Sequence, residues 1–208
     1  MAGIGTEQFD AEATAAQADS FLAEDEVLRA ARDRAAGYGL TVPPPAVGAT
    51  LRFLAALLDA RSVVEVGTGT GVTGIWLLRG MRPEGVLTSV DPDPDYQRVA
   101  RAAYSEAGVP ANRARLIAGR PIEVLPRLTD GGYDLMSVCA DPLEYPDYLR
   151  EAPRLLRDGG VVAFGDPTGR AAGAMRDLGQ ALLESEDFAA VLLPLGTGLL
   201  AATKRPLR

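Results

Sequence analysis

From residue 62 onward, short apolar runs alternate with segments whose apolar positions recur every three to four residues. Residues 62–66, 85–90, 115–118, 133–138 and 160–164 read as strands. Residues 71–81, 94–107, 121–128 and 145–156 read as helices between them, and 168–186 as a mainly helical stretch after them. Strands alternating with helices predict a mostly parallel sheet covered on both faces. The tail follows another pattern. Residues 188–194 and 199–203 flank Gly196-Thr197-Gly198 and predict two antiparallel strands joined by a tight turn. The fold class is therefore α/β, a Rossmann-like doubly wound sheet of seven strands, mostly parallel, closed by a C-terminal antiparallel hairpin.

Upstream, roughly residues 7–38 are rich in Ala, Glu, Asp and Arg. Phe21, Leu22, Val27, Leu28, Ala31 and Ala35 fall at helical spacing. Gly37 and Gly39 read as helix stops, and Pro43-Pro44-Pro45 as a rigid turn before a helix over about 46–59. With no repeat or low-complexity linker, 1–208 reads as one domain. Residues 1–45 form a helical extension and 46–208 the core. The amphipathic extension suits either a cover for a substrate pocket or a dimer contact.

The bulk numbers narrow the partners. The chain has 208 residues, 47% apolar and 24% charged, as expected of one globular domain. A net charge of −7 disfavours a nucleic-acid backbone as partner. Neither a signal-peptide pattern nor a membrane-length apolar run is read, and the single cysteine, Cys139, fits a reducing compartment. The expected location is the cytoplasm. Histidine is absent, and the only lysine is Lys204. Acid–base chemistry must then fall to carboxylates, tyrosines, the cysteine or water.

The most informative segment is Glu65-Val66-Gly67-Thr68-Gly69-Thr70-Gly71-Val72-Thr73-Gly74. A strand ends in an acid, glycines follow, and a helix begins. Glycines let a backbone turn sharply and approach a ligand closely. Gly69, Gly71 and Gly74 also satisfy the dinucleotide fingerprint, so a nicotinamide-dependent oxidoreductase is one reading. Glu65 argues against it, because a carboxylate repels a pyrophosphate but suits hydroxyls and a positive charge. The loop therefore points to S-adenosylmethionine. Thr73, in the first helical turn, either holds a carboxylate or caps the helix. Asp91 ends the second strand, where an acid chelates ribose hydroxyls. Asp93 and Asp95 read as caps of the next helix. Gly119 and Arg120 follow the third strand and suit contact with an adenine ring. The endings at Cys139, Ala140 and Asp141 and at Gly165, Asp166 and Pro167 face the same crevice.

Together, VVEVGTGTGVTGIWLL, VLTSVDPDP, GRPIEVLPRL, YDLMSVCADPLEYPDYLREAPRLLRDGG and PLGTGLLAATK resemble the class I S-adenosylmethionine-dependent O-methyltransferases of the catechol and caffeoyl-CoA type, in particular their small bacterial members. The resemblance spans about Pro43 to Lys204. It implies a methyl transfer to a small hydroxyl acceptor and a homodimer. It also implies a cofactor lining of Glu65, Gly67, Thr68, Gly69, Gly71, Thr73, Asp91, Gly119, Arg120 and Cys139. Departures fall in the catalytic centre. The family's fourth strand ends in Phe-Ile-Asp-Ala-Asp-Lys, and here the first Asp, a metal ligand, is Cys139 while the lysine is Pro142. The Asp-Asn pair after the fifth strand aligns with Gly165 and Asp166. Mg²⁺ prefers hard oxygen ligands, so no family-type metal site is expected, with a shifted site on Asp141 and Asp166 as the alternative. Asp141, Tyr145 and Asp166 remain as candidates for proton removal. A protein that binds the cofactor with little or no catalysis is the alternative function.

Overall fold

A computed structural model describes residues 11–166, 168–170 and 172–206. Seven strands form one sheet: β1 (Ser62–Val66), β2 (Val86–Asp91), β3 (Ala114–Ala118), β4 (Tyr133–Val138), β5 (Leu156–Gly165), β6 (Phe188–Leu193) and β7 (Leu199–Lys204). Their order across the sheet is β3-β2-β1-β4-β5-β7-β6. The first five run parallel. Helices α1 (Ala11–Phe21), α2 (Glu26–Gly37), α3 (Pro45–Leu57), α4 (Val72–Gly80), α5 (Pro94–Glu106), α6 (Pro121–Val124), α7 (Tyr145–Leu155) and α8 (Ala172–Glu184) complete the chain.

Successive strand residues point to opposite faces, so continuous apolar strands build two cores. Val63, Leu87, Leu135 and Val161 pack against Leu28 and Ala31 of α2, Leu51 of α3, Trp76 of α4 and Tyr104 of α5. Val64, Met136, Val162 and Phe164 pack against Tyr148 and Leu155 of α7 and Leu178 of α8. The predicted α/β architecture is thus the observed one. Among the described residues no helix is long and apolar enough to cross a membrane.

Several boundaries differ from the expectation. The single N-terminal helix is two, because Asp25 accepts from the Leu28 N–H (3.0 Å) and starts a new helix there. Its expected start at 7–10 lies outside the described residues. The 121–128 helix is α6 followed by a 3₁₀ turn at Leu125–Arg127, since Pro126 offers no N–H to continue the ladder. The helix expected from 168 begins at Ala172, and the Pro167 and Ala171 positions lie outside the described residues. Strand β5 begins at Leu156, before a register shift that pairs Leu156 with Tyr133 but Val161 with Leu135. In the tail hairpin, β7 pairs with β5 and β6 lies outermost. The antiparallel strand is therefore one in from the edge. The sequence gives the cause: Leu199, Leu200, Ala201 and Ala202 are all buried, whereas Val191 and Leu192 of β6 are exposed.

Two polar or tight spots in this packing carry consequences. Helices α3 and α4 meet so closely that a Cβ on Gly80 would fall 2.2 Å from the Arg52 carbonyl oxygen. Beneath the glycine loop, Glu65 is fully buried. Its Oε2 accepts from the Ser89 hydroxyl (2.5 Å), which also meets the Thr68 hydroxyl (2.6 Å). Tyr104 stands beside the same carboxyl. Neither its hydroxyl nor Glu65 Oε1 has a hydrogen bond of good geometry. Burial first, and the nearby Asp91 charge, push the Glu65 pKa up to about 8 despite the Ser89 bond.

Gly80→Ala is expected to cost about 1–3 kcal/mol in urea unfolding, because backbone must move to admit the methyl group. Gly179→Ala in α8, where a Cβ meets nothing within 4 Å, should instead stabilise by about 0.4–1 kcal/mol. Glu65 holds its proton in the native chain between pH 4.5 and about 8, where the unfolded chain has released it. Its contribution is complete below pH 4.5 and is lost as pH rises through about 8. Denaturation from pH 5 to 9 should show a shallower loss of stability in Glu65→Gln than in the parent.

Candidate active site

The sheet order reverses between β1 and β4, and ligands of such folds bind beyond the strand ends at that reversal. Here those ends are tied backbone to backbone. The Cys139 N–H donates to the Val66 carbonyl (2.9 Å), Gly67 N–H to Val90 (2.9 Å) and Gly119 N–H to Asp91 (3.0 Å). A Cβ on Gly67 would fall 2.2 Å from the Cys139 carbonyl oxygen, and its φ is +92°. Only glycine serves there. Gly69, at φ +48°, has open space above it, with Leu40 Cδ1 3.8 Å from an added Cβ.

A cavity of about 350 Å³ lies over this loop. Gly67, Thr68, Gly69, Thr70 and Thr73 form its floor with Asp91. Residues 40–43, between α2 and α3, form one wall, and the Thr70 hydroxyl fastens the loop to the Ala31 carbonyl of α2 (2.9 Å). Cys139, Asp141, Glu144 and Tyr148 stand on the far side. The Asp91 carboxylate accepts from the Gly69 N–H (3.0 Å) and the Asp93 N–H (2.9 Å). Burial raises its pKa against these bonds. It retains lone-pair capacity for ligand hydroxyls. Helix α4 is capped by Gly71 without a side-chain bond, so first-turn N–H groups are left to a ligand. Thr73 is therefore not the cap, and its hydroxyl has no hydrogen-bond partner among the described residues. Asp93 does cap α5, accepting from the Asp95 N–H (2.8 Å).

Other expected cofactor contacts are not brought to the cavity. Glu65 lies under the loop and does not line it. Burial, with the nearby Asp91 charge, raises its pKa to about 8, which favours its protonated form at neutral pH. Gly71 packs on α5, where an added Cβ would fall 2.9 Å from the Tyr104 ring. Gly119 and Arg120 stay outside the lining, and Pro121 takes that place. Arg120 is exposed and lies near Glu123 (3.4 Å) and Glu144 (3.9 Å).

A second cavity of about 540 Å³ adjoins the first. The two share Leu40, Thr41, Cys139, Ala140 and Asp141, and the second adds Pro142, Thr168 and Arg170. Of the three expected proton acceptors, only Asp141 lines these cavities. It is exposed, and one oxygen accepts from the Leu143 N–H (3.0 Å). Tyr145 is fully buried, donates to the Gly165 carbonyl (2.9 Å) and packs on Phe164. Burial raises its pKa, and it lines neither cavity. Asp166 is buried and accepts from the Thr168 N–H (2.9 Å) and hydroxyl (2.6 Å). Tyr148, whose hydroxyl donates to Glu144, was not singled out by sequence. The signal was its spacing three residues from Tyr145, which puts both on one face of α7.

The metal that the resemblance implies does not fit these residues. The Cys139 thiol is half-buried near Glu65 and Asp166, its pKa pushed up to about 12 chiefly by desolvation, and it is a soft donor. Gly165 has no side chain, and Asp166 is turned to Thr168. Among the described residues no three His, Cys, Asp or Glu side chains are grouped to hold an ion.

The O-methyltransferase family model matches residues 13–204. A Mycobacterium marinum protein named for O-methyltransferase activity is 47% identical over 205 residues, covering 93% of this chain and 92% of that one. A Corynebacterium glutamicum structure superposes with a TM-score of 0.85 at 29% identity, covering 95% and 98% of the two chains. The Streptomyces achromogenes O-methyltransferase TomG, solved with S-adenosylmethionine, gives 0.80 at 26% identity, covering 93% and 96%. The glycine loop at the sheet reversal, the paired cavities and the match along nearly the whole chain agree: this protein belongs to the O-methyltransferase family.

Proposed function

We propose that the first cavity holds S-adenosylmethionine and the second a small hydroxyl acceptor, whose oxygen takes the methyl group. The observation that carries this reading is the junction: Cys139, Ala140 and Asp141 line both cavities, so donor and acceptor meet there. S-adenosylmethionine supplies, when bound, an electrophilic methyl group on a positively charged sulfur. The donor cavity carries Asp91, Asp141 and Glu144 and no Lys or Arg, which suits a cation. Asp91 takes the ribose hydroxyls, and Thr73 with the open first turn of α4 takes the amino-acid carboxylate. The bound TomG relative supports this assignment.

The chain's main contribution is to hold acceptor oxygen, methyl group and leaving sulfur in line, as a displacement requires. Residues 40–43 wall the first cavity and Leu40 and Thr41 continue over the second, and keeping water out favours a reaction in which charge disappears. Asp141 receives the acceptor's proton at its remaining carboxylate oxygen. Neither Tyr145 nor Asp166 is assigned a chemical role. The exposed Phe21 and Phe53 on α1 and α3 border one groove and support a homodimer through that face. The lone cysteine supports a cytoplasmic setting. The poor donor set favours a second reading, cofactor binding with little turnover.

Calorimetry should show S-adenosylhomocysteine binding to the parent and at least about tenfold weaker binding to Asp91→Ala, with no binding of NAD. In a methyl-transfer assay over phenols, catechols and hydroxy acids, Asp141→Asn should lower kcat by about a hundredfold at unchanged cofactor affinity. Tyr145→Phe should lower Tm with little effect on kcat, and EDTA should leave the rate unchanged. Tight cofactor binding without turnover of any acceptor would favour the second reading.

A further inference from the structure

Every charged side chain lining the donor cavity is acidic. The acceptor cavity differs in one residue. Arg170 lines it together with the shared Asp141, and it is the only cation lining either cavity among the described residues. Its backbone is set by a turn in which its N–H donates to the Thr168 hydroxyl (3.2 Å), itself donating to the buried Asp166 carboxylate (2.6 Å). Arg170 is exposed, and its guanidinium makes no ion pair with a described residue, so it is open to a ligand entering the cavity. The rest of the cavity is Gly39, Leu40, Thr41, Cys139, Ala140 and Pro142, with Thr168, and offers no second charge besides Asp141.

We infer that Arg170 is a specificity residue and that the acceptor carries a carboxylate besides its hydroxyl. This rests on the assignment of the second cavity to the acceptor. In a chain of net charge −7, with Asp91, Asp141 and Glu144 around the donor, an anionic acceptor has no other favourable place in these cavities. The guanidinium fork matches a carboxylate with two parallel hydrogen bonds, and an occupant covers it from water. Asp141 and Arg170 thereby read opposite ends of one molecule: the hydroxyl that loses a proton and the carboxylate that stays charged. A neutral phenol of the same shape leaves Arg170 unpaired, and Asp141 repels a carboxylate presented the wrong way round.

The test uses the full chain saturated with S-adenosylhomocysteine, whose own binding is measured first. Failure at that step would count against the proposed function, not against Arg170. The probes are 3,4-dihydroxybenzoate and its neutral isostere 3,4-dihydroxybenzamide, followed by calorimetry. The acid should bind at least about tenfold more tightly than the amide. Arg170→Ala should remove that preference without changing S-adenosylhomocysteine affinity, and Arg170→Lys should restore part of it. Equal binding of the two probes, binding of neither, or a preference that survives in Arg170→Ala would overturn the inference. Where turnover is measurable, the change should appear in KM for the acid and leave kcat within about twofold.

Discussion

Everything at the candidate site hangs on the way the C-terminal ends of β1, β2 and β4 are tied together. Gly67 donates to β2 at Val90, and Cys139 of the β4 end donates to β1 at Val66. These bonds bring the glycine loop and the β4 ending into backbone contact, close enough that a single methyl group on Gly67 would separate them. The donor cavity is the space left above that contact. Its floor is main chain with open N–H groups, so its shape depends on φ angles more than on side-chain rotamers. Asp91 adds a side-chain brace, holding Gly69 while keeping capacity for a ligand, as the Thr70 hydroxyl adds another to α2.

Glu65 illustrates how burial changes what a residue can do. A carboxylate at the end of β1 reads as a charge presented to the ligand. In the fold it is sealed under the loop, bonded to Ser89 and largely neutral. Its effect on the crevice runs through Thr68 and Ser89, which share the same buried cluster. Asp91, Asp141 and Glu144 do face the cavity, and the oxidoreductase reading is set aside by family membership rather than by Glu65.

The far side of the crevice has lost hard ligands and kept a shape. Cys139, Pro142 and Gly165 stand where carboxylate, lysine and carboxylate ligands stand in the resembled family, and Asp166 is committed to Thr168. What remains on that side is the exposed carboxylate of Asp141, with Glu144 bonded to the Tyr148 hydroxyl. Methyl transfer is a reaction in which alignment alone supplies much of the acceleration, so such a site is chemically coherent for an acceptor whose proton leaves easily.

The alternation of strands and helices was legible because burial on both faces forces continuous apolar strands, and the glycine loop because positive φ admits few other residues. The Asp93 cap was legible for the same local reason. The break between α1 and α2 was missed because the apolar spacing runs across it, although the capping Asp25 sits at the junction. Which carboxylates and tyrosines reach the cavity was legible only in part: Asp91 and Asp141 were expected there and line it. Glu65, Tyr145 and Asp166 point inward while Asp141 and Tyr148 line the crevice, and that depends on strand register and helix rotation set by distant partners. Residues 40–43 and Arg170 join the site from segments far apart in the chain. The sequence by itself determined the sheet and its loop, because these follow from local periodicity and backbone sterics, while the class of chemistry came from resemblance to a family. Tertiary structure alone decided which charges meet a ligand, because exposure is a property of the packed whole.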